Sequence, residues 1–420
     1  MVKVGVFADT HVGRSIPNII AEHRRQAFRH AFTQAINVFI EEGVDLVVHA
    51  GDLFERRSMK PSDSLFVKEE LQRLVDSLGG DVRIIMVRGN HDGTAENNAL
   101  NYVQHPLAKY LTVLGDKTLQ GEPEVYQDDG LAIVGFGYTP FASIRLNEVK
   151  DAVKRKYDDL KVDNKIFLIH AFIEGQEMPP NVPEYQAVSL DLLKELGADL
   201  IVAGHHHKYL LLVEKSGLRL LTPGATEAVD LSDDSPHGVC VLKLGQHIDC
   251  KFVPVKPLHK IKNVVINSGG AIQQPTWFVE RASEVAQKFS EDLKAEGEKG
   301  ILRIALRGFL DGNRFDLEAE LEKQMQKIRE ESPQLLHVEI DNDLSEIAHA
   351  RVSVSEYTRR EEFLQEVFKS LGEKRMAQAL SLAEEVRMAL EERASDKTGL
   401  LRESDRRSFV EKWLKILEAD

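Results

Sequence analysis

Five short polar clusters, each directly after a run of apolar and β-branched residues, constrain this chain more than any other feature. They are Asp9-Thr10-His11, Gly51-Asp52, Gly89-Asn90-His91-Asp92, His170, and Gly204-His205-His206-His207. The runs at 2–8, 44–50, 82–87, 164–171 and 198–205 are short enough for buried strands. Helical stretches at 20–42 and 62–78 separate the first three, and another apolar run, LAIVGFG, lies at 131–137. Strands alternating with amphipathic helices predict an α/β layered domain with a parallel core. Side chains beyond the carboxyl ends of such strands converge on one crevice, so clusters far apart in sequence can build one site.

The donor chemistry narrows what that site does. Asp9 and His11 are two apart on an emerging strand and project to one side, as do His205 and His207, while His206 points the other way. Two aspartates, one asparagine and four histidines besides His91 offer oxygen and imidazole ligands without thiolate, a set that suits manganese, iron or zinc. Manganese is the first choice. Seven ligands exceed one tetrahedral ion but fit two ions roughly 3.5–4 Å apart that share a carboxylate, the arrangement of in-line phosphoryl displacement. Asp52 is the natural bridge. The chemistry would be attack on phosphorus by water acidified at the metals, with no covalent enzyme intermediate.

Further along, hairpin-like strands are expected over 210–255. Prolines at 254, 257 and 275 and the Gly269-Gly270 pair suggest a boundary near 256. The segment 256–341 reads strand, helix (278–298), strand (300–308), helix (316–331) and strand (335–341). Beyond Asp341 the chain turns helical and charged. Phe363, Val367, Phe368, Phe409, Trp413, Ile416 and Leu417 fall there at helical spacing, as in helices that dock on a partner.

Composition excludes several classes. No run approaches the roughly 18 apolar residues of a membrane span. The first residues enter a strand with no signal-peptide pattern, so a cytoplasmic location is expected. Cys240 and Cys250 cannot supply a disulfide framework or a thiolate zinc site and read as small buried hydrophobes. A net charge of −14 argues against nucleic-acid binding through a diffuse basic surface. Any DNA contact would be local, with Arg14, Arg56, Arg57, Arg88 and Lys208 near the motif loops as candidates for phosphate. His49 inside a strand, and His23 and His30 on a helix, read as packed or surface residues.

By residue type and order, the five blocks resemble the signature of the calcineurin-like metallophosphoesterases: D-x-H, G-D, G-N-H-D/E, H and G-H-x-H. The resemblance implies a sandwich of two β-sheets flanked by helices. It also implies that Asp9, His11 and His207 hold one metal, Asn90, His170 and His205 the other, and that Asp52 bridges them. His91 would donate a proton to the leaving oxygen or stabilise developing charge, and Asp92 would orient it.

Finer features resemble the DNA-repair branch of that superfamily, the Mre-eleven/SbcD family. These are Gly51-Asp52-Leu53-Phe54 with Arg56-Arg57 and Lys60-Pro61-Ser62, and Thr222-Pro223-Gly224-Ala225-Thr226-Glu227. What this second resemblance implies is a nuclease dependent on two manganese ions, with exonuclease and single-strand endonuclease action. It would work as a homodimer at the nucleoid, with a coiled-coil ATPase of the Rad-fifty/SbcC type, in double-strand-break repair. Its parts would be a nuclease domain at 1–255, a small α/β capping domain at 256–341 that orients DNA, and a helical partner-binding region at 342–420. The chain has no G-x-x-x-x-G-K-S/T loop, in keeping with a separate ATPase. The rival substrate is a nucleotide or cyclic nucleotide, and the long stretch beyond residue 255 favours DNA. Two departures stand out: Glu55 where relatives commonly have histidine or aspartate, and His170-Ala171-Phe172 where archaeal relatives often have His-Gln-Gly.

Overall fold

The structure, a computed structural model, describes residues 2–346 apart from 129, 179–181 and 216, and then 368, 371, 373–395 and 403–418. The chain begins β1 (Val2–Phe7), α1 (Ala21–Glu42), β2 (Leu46–His49), α2 (Pro61–Ser77), β3 (Arg83–Val87), α3 (Asn101–Gln104) and β4 (Leu111–Leu114). It continues with β5 (Val125–Asp128), β6 (Leu131–Phe136), α4 (Ala142–Asp158), β7 (Asn164–His170), β8 (Phe172–Ile173), β9 (Ala187–Val188), α5 (Leu190–Lys194) and β10 (Leu200–Gly204). Then follow β11 (Leu210–Val213), β12 (Arg219–Thr222), β13 (Gly238–Leu244) and β14 (Asp249–Pro254). The remainder is β15 (Lys260–Gln273), α6 (Pro275–Glu296), β16 (Gly300–Leu310), α7 (Arg314–Glu331), β17 (Leu335–Glu346), α8 (Glu373–Ser395) and α9 (Glu403–Glu418).

Two six-stranded sheets form the expected sandwich, one in the order β14-β13-β1-β2-β3-β4 and the other β11-β12-β10-β7-β6-β5. The middle strands of each run parallel; antiparallel strands close both edges of the second sheet and the β13-β14 edge of the first, whose other edge, β4, is parallel to β3. Period-two alternation gives each buried strand two apolar faces. Val4, Val6, Val48 and Ile85 meet Ile133, Ile166, Leu168 and Val202 between the sheets. Phe7, Val47 and Met86 face outward onto Phe32, Ile36 and Phe39 of α1, with Leu71 and Leu74 of α2. On the far side, Phe136, Phe167 and Ile201 pack on Leu146, Val153 and Tyr157 of α4. Because both faces are covered, these strands read as continuous apolar runs.

By contacts the chain divides into two units. The first holds 1–267, 276–307 and 318–343. Within it Ile20 and Leu231 of the sandwich pack with Ile301 and Leu336 of the smaller α/β segment. A third sheet has the order β15-β16-β17. The second unit holds 268–275, 308–317 and 344–420. There the rings of Phe368 and Trp413 lie 5.6 Å apart, and Lys412 pairs with Glu385 between α9 and α8. Phe368, Leu382, Val386, Phe409 and Trp413 help line an apolar cavity of about 430 Å³. Phe363, Val367 and the side chain of Leu417 lie outside the described residues. Among the described residues no helix is long and apolar enough to cross a membrane. Both cysteines are free, Cys240 being buried on β13.

Candidate metal centre

The site lies where β1, β2 and β3 of one sheet and β7 and β10 of the other end together. Beyond β1 and β2 the two loops run as a pair: the N–H groups of Asp9, His11 and Val12 each donate over 3.0 Å to the carbonyls of Gly51, Asp52 and Leu53. His49 locks this pairing. Gly51 N–H donates to its Nδ1 at 3.2 Å, so Nε2 carries the proton and faces Thr10 Oγ1 at 3.2 Å, whose hydroxyl donates to Leu53 O at 3.0 Å. Burial, with His170 nearby, pushes the His49 imidazole down to about 3, in keeping with that neutral form.

Four non-glycine residues among those described take a left-handed backbone: Asp9 (φ 49°), His11 (41°), Asp52 (57°) and His205 (82°). Strain of this kind persists where the surroundings over-determine it, and it clusters at functional sites. Here every instance falls on a residue read as a metal ligand.

Three overlapping groups of side chains bring their ligand atoms within 4.8 Å of one another: Asp9, His11 and His207; His11, Asp52 and His91; and Asp52, His170 and His205. His11 Nε2 lies 3.4 Å from His207 Nε2 and 3.8 Å from Asp52 Oδ2, and His170 Nε2 lies 3.4 Å from Asp52 Oδ2. Asn90 Oδ1 joins the third group, 3.0 Å from His170 Nε2. The structure thus brings together all seven residues read as ligands, with Asp52 shared, and sets His91 beside them.

The electrostatics fit cations. Burial raises the Asp9 carboxyl to about 7 even with His170 close by. Burial also opposes ionisation of Asp52, but His170, His11 and His91 more than offset it and hold that carboxyl below the usual range. Burial disfavours a charged His170, yet Asp52 and Asp9 raise it to about 9, so positive charge is favoured between the two aspartates. Burial, with His170, lowers His205 to about 3, and burial, with His11, lowers His207. Two neutral imidazoles therefore keep lone pairs free. His170 Nδ1 lies 2.7 Å from Ala50 O, which fixes the ring as a supporting acceptor does for a metal-binding histidine. Carboxylates, neutral imidazoles and an amide oxygen held at this spacing suit divalent metal cations.

Two glycines of the motifs are needed for close approach. A Cβ on Gly89 would lie 2.1 Å from Asp52 Oδ1, and one on Gly204 would lie 2.1 Å from Ala50 O and 2.9 Å from His170 Nδ1. Aromatic rings wall the His205 side, Phe172 at 4.1 Å and Tyr138 at 5.7 Å between centroids. Phe172 belongs to the His-Ala-Phe departure, so the packing on this ligand depends on it.

Three readings from sequence are corrected. Asp92 does not serve to orient His91: its carboxylate accepts from the N–H groups of Gly89 (2.9 Å), Asp52 (3.0 Å), Leu53 (3.4 Å) and Phe54 (3.1 Å), stitching two motif loops together. The His91 ring is held by the backbone carbonyl of Glu55, 2.8 Å from Nδ1. Arg88 is buried, and its guanidinium bonds Asp116, Gly93 O and Tyr138 O rather than a phosphate. Arg14 likewise turns inward to Glu55 and Val229 O. Arg56 and Arg57 are exposed, and Lys208 is paired with Glu177 at 2.6 Å.

The supporting residues Thr10, His49 and Arg24 were not read as functional. A polar residue inside an apolar strand, as at His49, was the available signal. Arg24 is fully buried on α1 and bonds Ile16 O, Glu227 and Ala228 O, anchoring the Thr222–Glu227 loop.

Residues 2–209 match the calcineurin-like phosphoesterase family. The chain carries a calcineurin-like phosphoesterase domain. Over 203 residues it is 28% identical to the DNA double-strand break repair protein Mre11 of Sulfurisphaera tokodaii, covering 48% of each chain. The chain therefore spans about half the length of that relative. It is 26% identical over 302 residues to the SbcD component of the nuclease SbcCD of Staphylococcus saprophyticus, covering 65% of this chain and 74% of that one. A dimetal phosphatase from Danio rerio overlays with a TM-score of 0.38 at 13% identity, covering 60% of this chain and 95% of that chain. The phosphoesterase domain has the metal-binding His and Asp clusters that its family's chemistry requires.

Proposed function

We propose that this chain is a DNA nuclease dependent on two divalent cations, first of all manganese, that acts with a coiled-coil ATPase in double-strand-break repair. The observation that carries this reading is the trio of ligand groups that share His11 and Asp52. Asp9, His11 and His207 would hold one cation, Asn90, His170 and His205 the second, and Asp52 both. When bound, such cations supply positive charge against the phosphate oxygens and acidify the attacking water.

The chain's own groups do the rest. His91, tied through Nδ1 to Glu55 O, leaves Nε2 free, and the doubly protonated ring would pass its Nε2 proton to the leaving oxygen. Asp92 and His49 keep the loops from shifting as charge builds up. Exposed Arg56 and Arg57 beside the site are suited to steadying the phosphate backbone without reading bases. The DNA substrate is supported by the names of the relatives and by the segments beyond the phosphoesterase domain. Residues 256–341 would orient DNA. The apolar cavity of about 430 Å³ between α8 and α9 suits the docking of an ATPase coiled coil on residues 342–420. The working form would be a homodimer at the nucleoid in the cytoplasm.

The test is hydrolysis of linear double-stranded and single-stranded DNA by the manganese-loaded protein, beside His91→Ala. Wild type should degrade DNA, and His91→Ala should bind manganese with unchanged stoichiometry while losing about 10²-fold or more in rate. Hydrolysis of cyclic nucleotides with DNA left intact would replace the substrate with the nucleotide alternative. Loss of manganese by His91→Ala would make His91 a ligand instead of a proton donor.

A further inference from the structure

Glu55 stands where the resembled family commonly has histidine or aspartate, and its side chain lies against His11 of the first ligand group. The residue is 7% exposed, and its carboxylate is gripped from one side by Arg14, whose Nη1 donates to Oε1 at 2.9 Å and Oε2 at 3.1 Å. Arg14 is itself fixed by its Nε–H, which donates to Val229 O at 2.8 Å. On the other side, Glu55 Oε2 lies 3.2 Å from His11 Nδ1. That nitrogen is buried and meets no partner in aligned hydrogen-bond geometry; the acceptor beside it is the Glu55 carboxylate, 3.2 Å away. The backbone of Glu55 is also committed, its N–H to Val12 O at 3.1 Å and its carbonyl to His91 Nδ1 at 2.8 Å.

The geometry points to Glu55, clamped by Arg14, as a positioning residue that sets which nitrogen both His11 and His91 present to the reaction centre. An imidazole whose Nδ1–H faces a fixed acceptor keeps its Nε2 lone pair outward, and a carboxylate acceptor also makes that nitrogen a better donor to a cation. For His11, Nε2 is the atom 3.8 Å from Asp52 Oδ2 and 3.4 Å from His207 Nε2, on the side of the shared ligands. The side chain of Glu55 therefore governs cation affinity through His11. Its carbonyl governs His91, whose ring stands perpendicular to that of His11 at 4.8 Å. The two roles separate under mutation, because substitution removes the carboxylate and leaves the carbonyl. This inference rests on the two-cation reading of the site.

The experiment titrates manganese(II) into wild type, Glu55→Gln and Glu55→Met by calorimetry, with turnover of bis(p-nitrophenyl) phosphate measured in parallel and folding followed by circular dichroism. Methionine has nearly the length of glutamate but no acceptor, whereas glutamine keeps one. Glu55→Met should lose about 10- to 100-fold in affinity at one of the two sites, the usual cost of losing such a supporting acceptor. Glu55→Gln should lose clearly less. At saturating manganese the kcat of Glu55→Met should stay within a few-fold of wild type, since His91 is still held. Equal losses in both variants, no loss in either, or a fall in kcat at unchanged affinity would overturn the inference. A measurement on wild type needs no variant: nitrogen-15 spectra of the zinc-loaded protein should show His11 protonated at Nδ1, and a proton on Nε2 would overturn it. Wild type that binds no manganese sinks the two-cation reading itself, whereas wild-type binding with indifferent variants sinks only the role of Glu55.

Discussion

Replacing Asp92 by asparagine tests whether the site is held by its loops or only by its ligands. Oδ2 accepts three backbone N–H groups, from Gly89, Asp52 and Leu53, while Oδ1 accepts one, from Phe54. An amide has one acceptor oxygen, so the cheaper orientation turns its NH2 toward Phe54 and orphans one buried donor, costing about 1–3 kcal/mol. The three remaining bonds lose their charge assistance, each weakening by about 1 kcal/mol. Relief from holding a fully buried carboxylate offsets part of this. A net loss of about 2–4 kcal/mol remains, which for a domain of this size corresponds to a melting temperature lower by roughly 5–15 °C. Thermal unfolding of metal-free wild type and Asp92→Asn by circular dichroism measures it, and manganese titration should show weaker binding, because Asp52 sits on one of the freed loops. A variant that melts within about 2 °C of wild type, with normal manganese affinity and reduced turnover, would refute the bracing role and restore Asp92 as the partner of His91.

Gly204→Ala would drive a methyl group to 2.1 Å from Ala50 O and break the approach of His170 Nδ1 to that carbonyl. Overpacking of this kind costs about 1–3 kcal/mol, and calorimetry should show one manganese site lost while the other persists; two normal sites would contradict the packing argument. His259 has both ring nitrogens buried without hydrogen bonds, and burial, with His23, Lys299 and Arg24 nearby, pushes it down from 6.5 to about 4. Its folded value lies below its unfolded one, so the unfolded chain binds the extra proton between them; stability is full above about 6.5 and is lost as pH falls toward 4. His259→Phe should shrink the stability difference between pH 7 and pH 5 by about 2 kcal/mol in urea unfolding; an unchanged difference would show that His259 does not carry this loss.

Which residues could meet was legible in the sequence because strand patterning is local. Runs such as VKVGVFA and NKIFLIHA carry apolar side chains on both faces, which commits them to a covered sheet, and the polar residues after them must then emerge at its carboxyl edge. That rule brings the five clusters to one edge, while the phosphoesterase class and the assignment of ligands came from their residue types and their resemblance to a known signature. The tertiary structure alone decided how each group is used. Periodicity says which way a residue faces but not what it meets across the sandwich. Arg14 and Arg88 are candidates for phosphate by their place near the motif loops, with salt bridges to nearby acids equally open, and the fold decides: Arg14 bonds a carbonyl 215 positions away and Arg88 a carboxylate 28 positions away. Glu55 read only as a departure from pattern until packing of the loops set its carboxylate against His11 and its carbonyl against His91. A donor's identity is a property of its place along the chain, whereas the nitrogen it presents depends on an acceptor that only the folded sheets bring within reach.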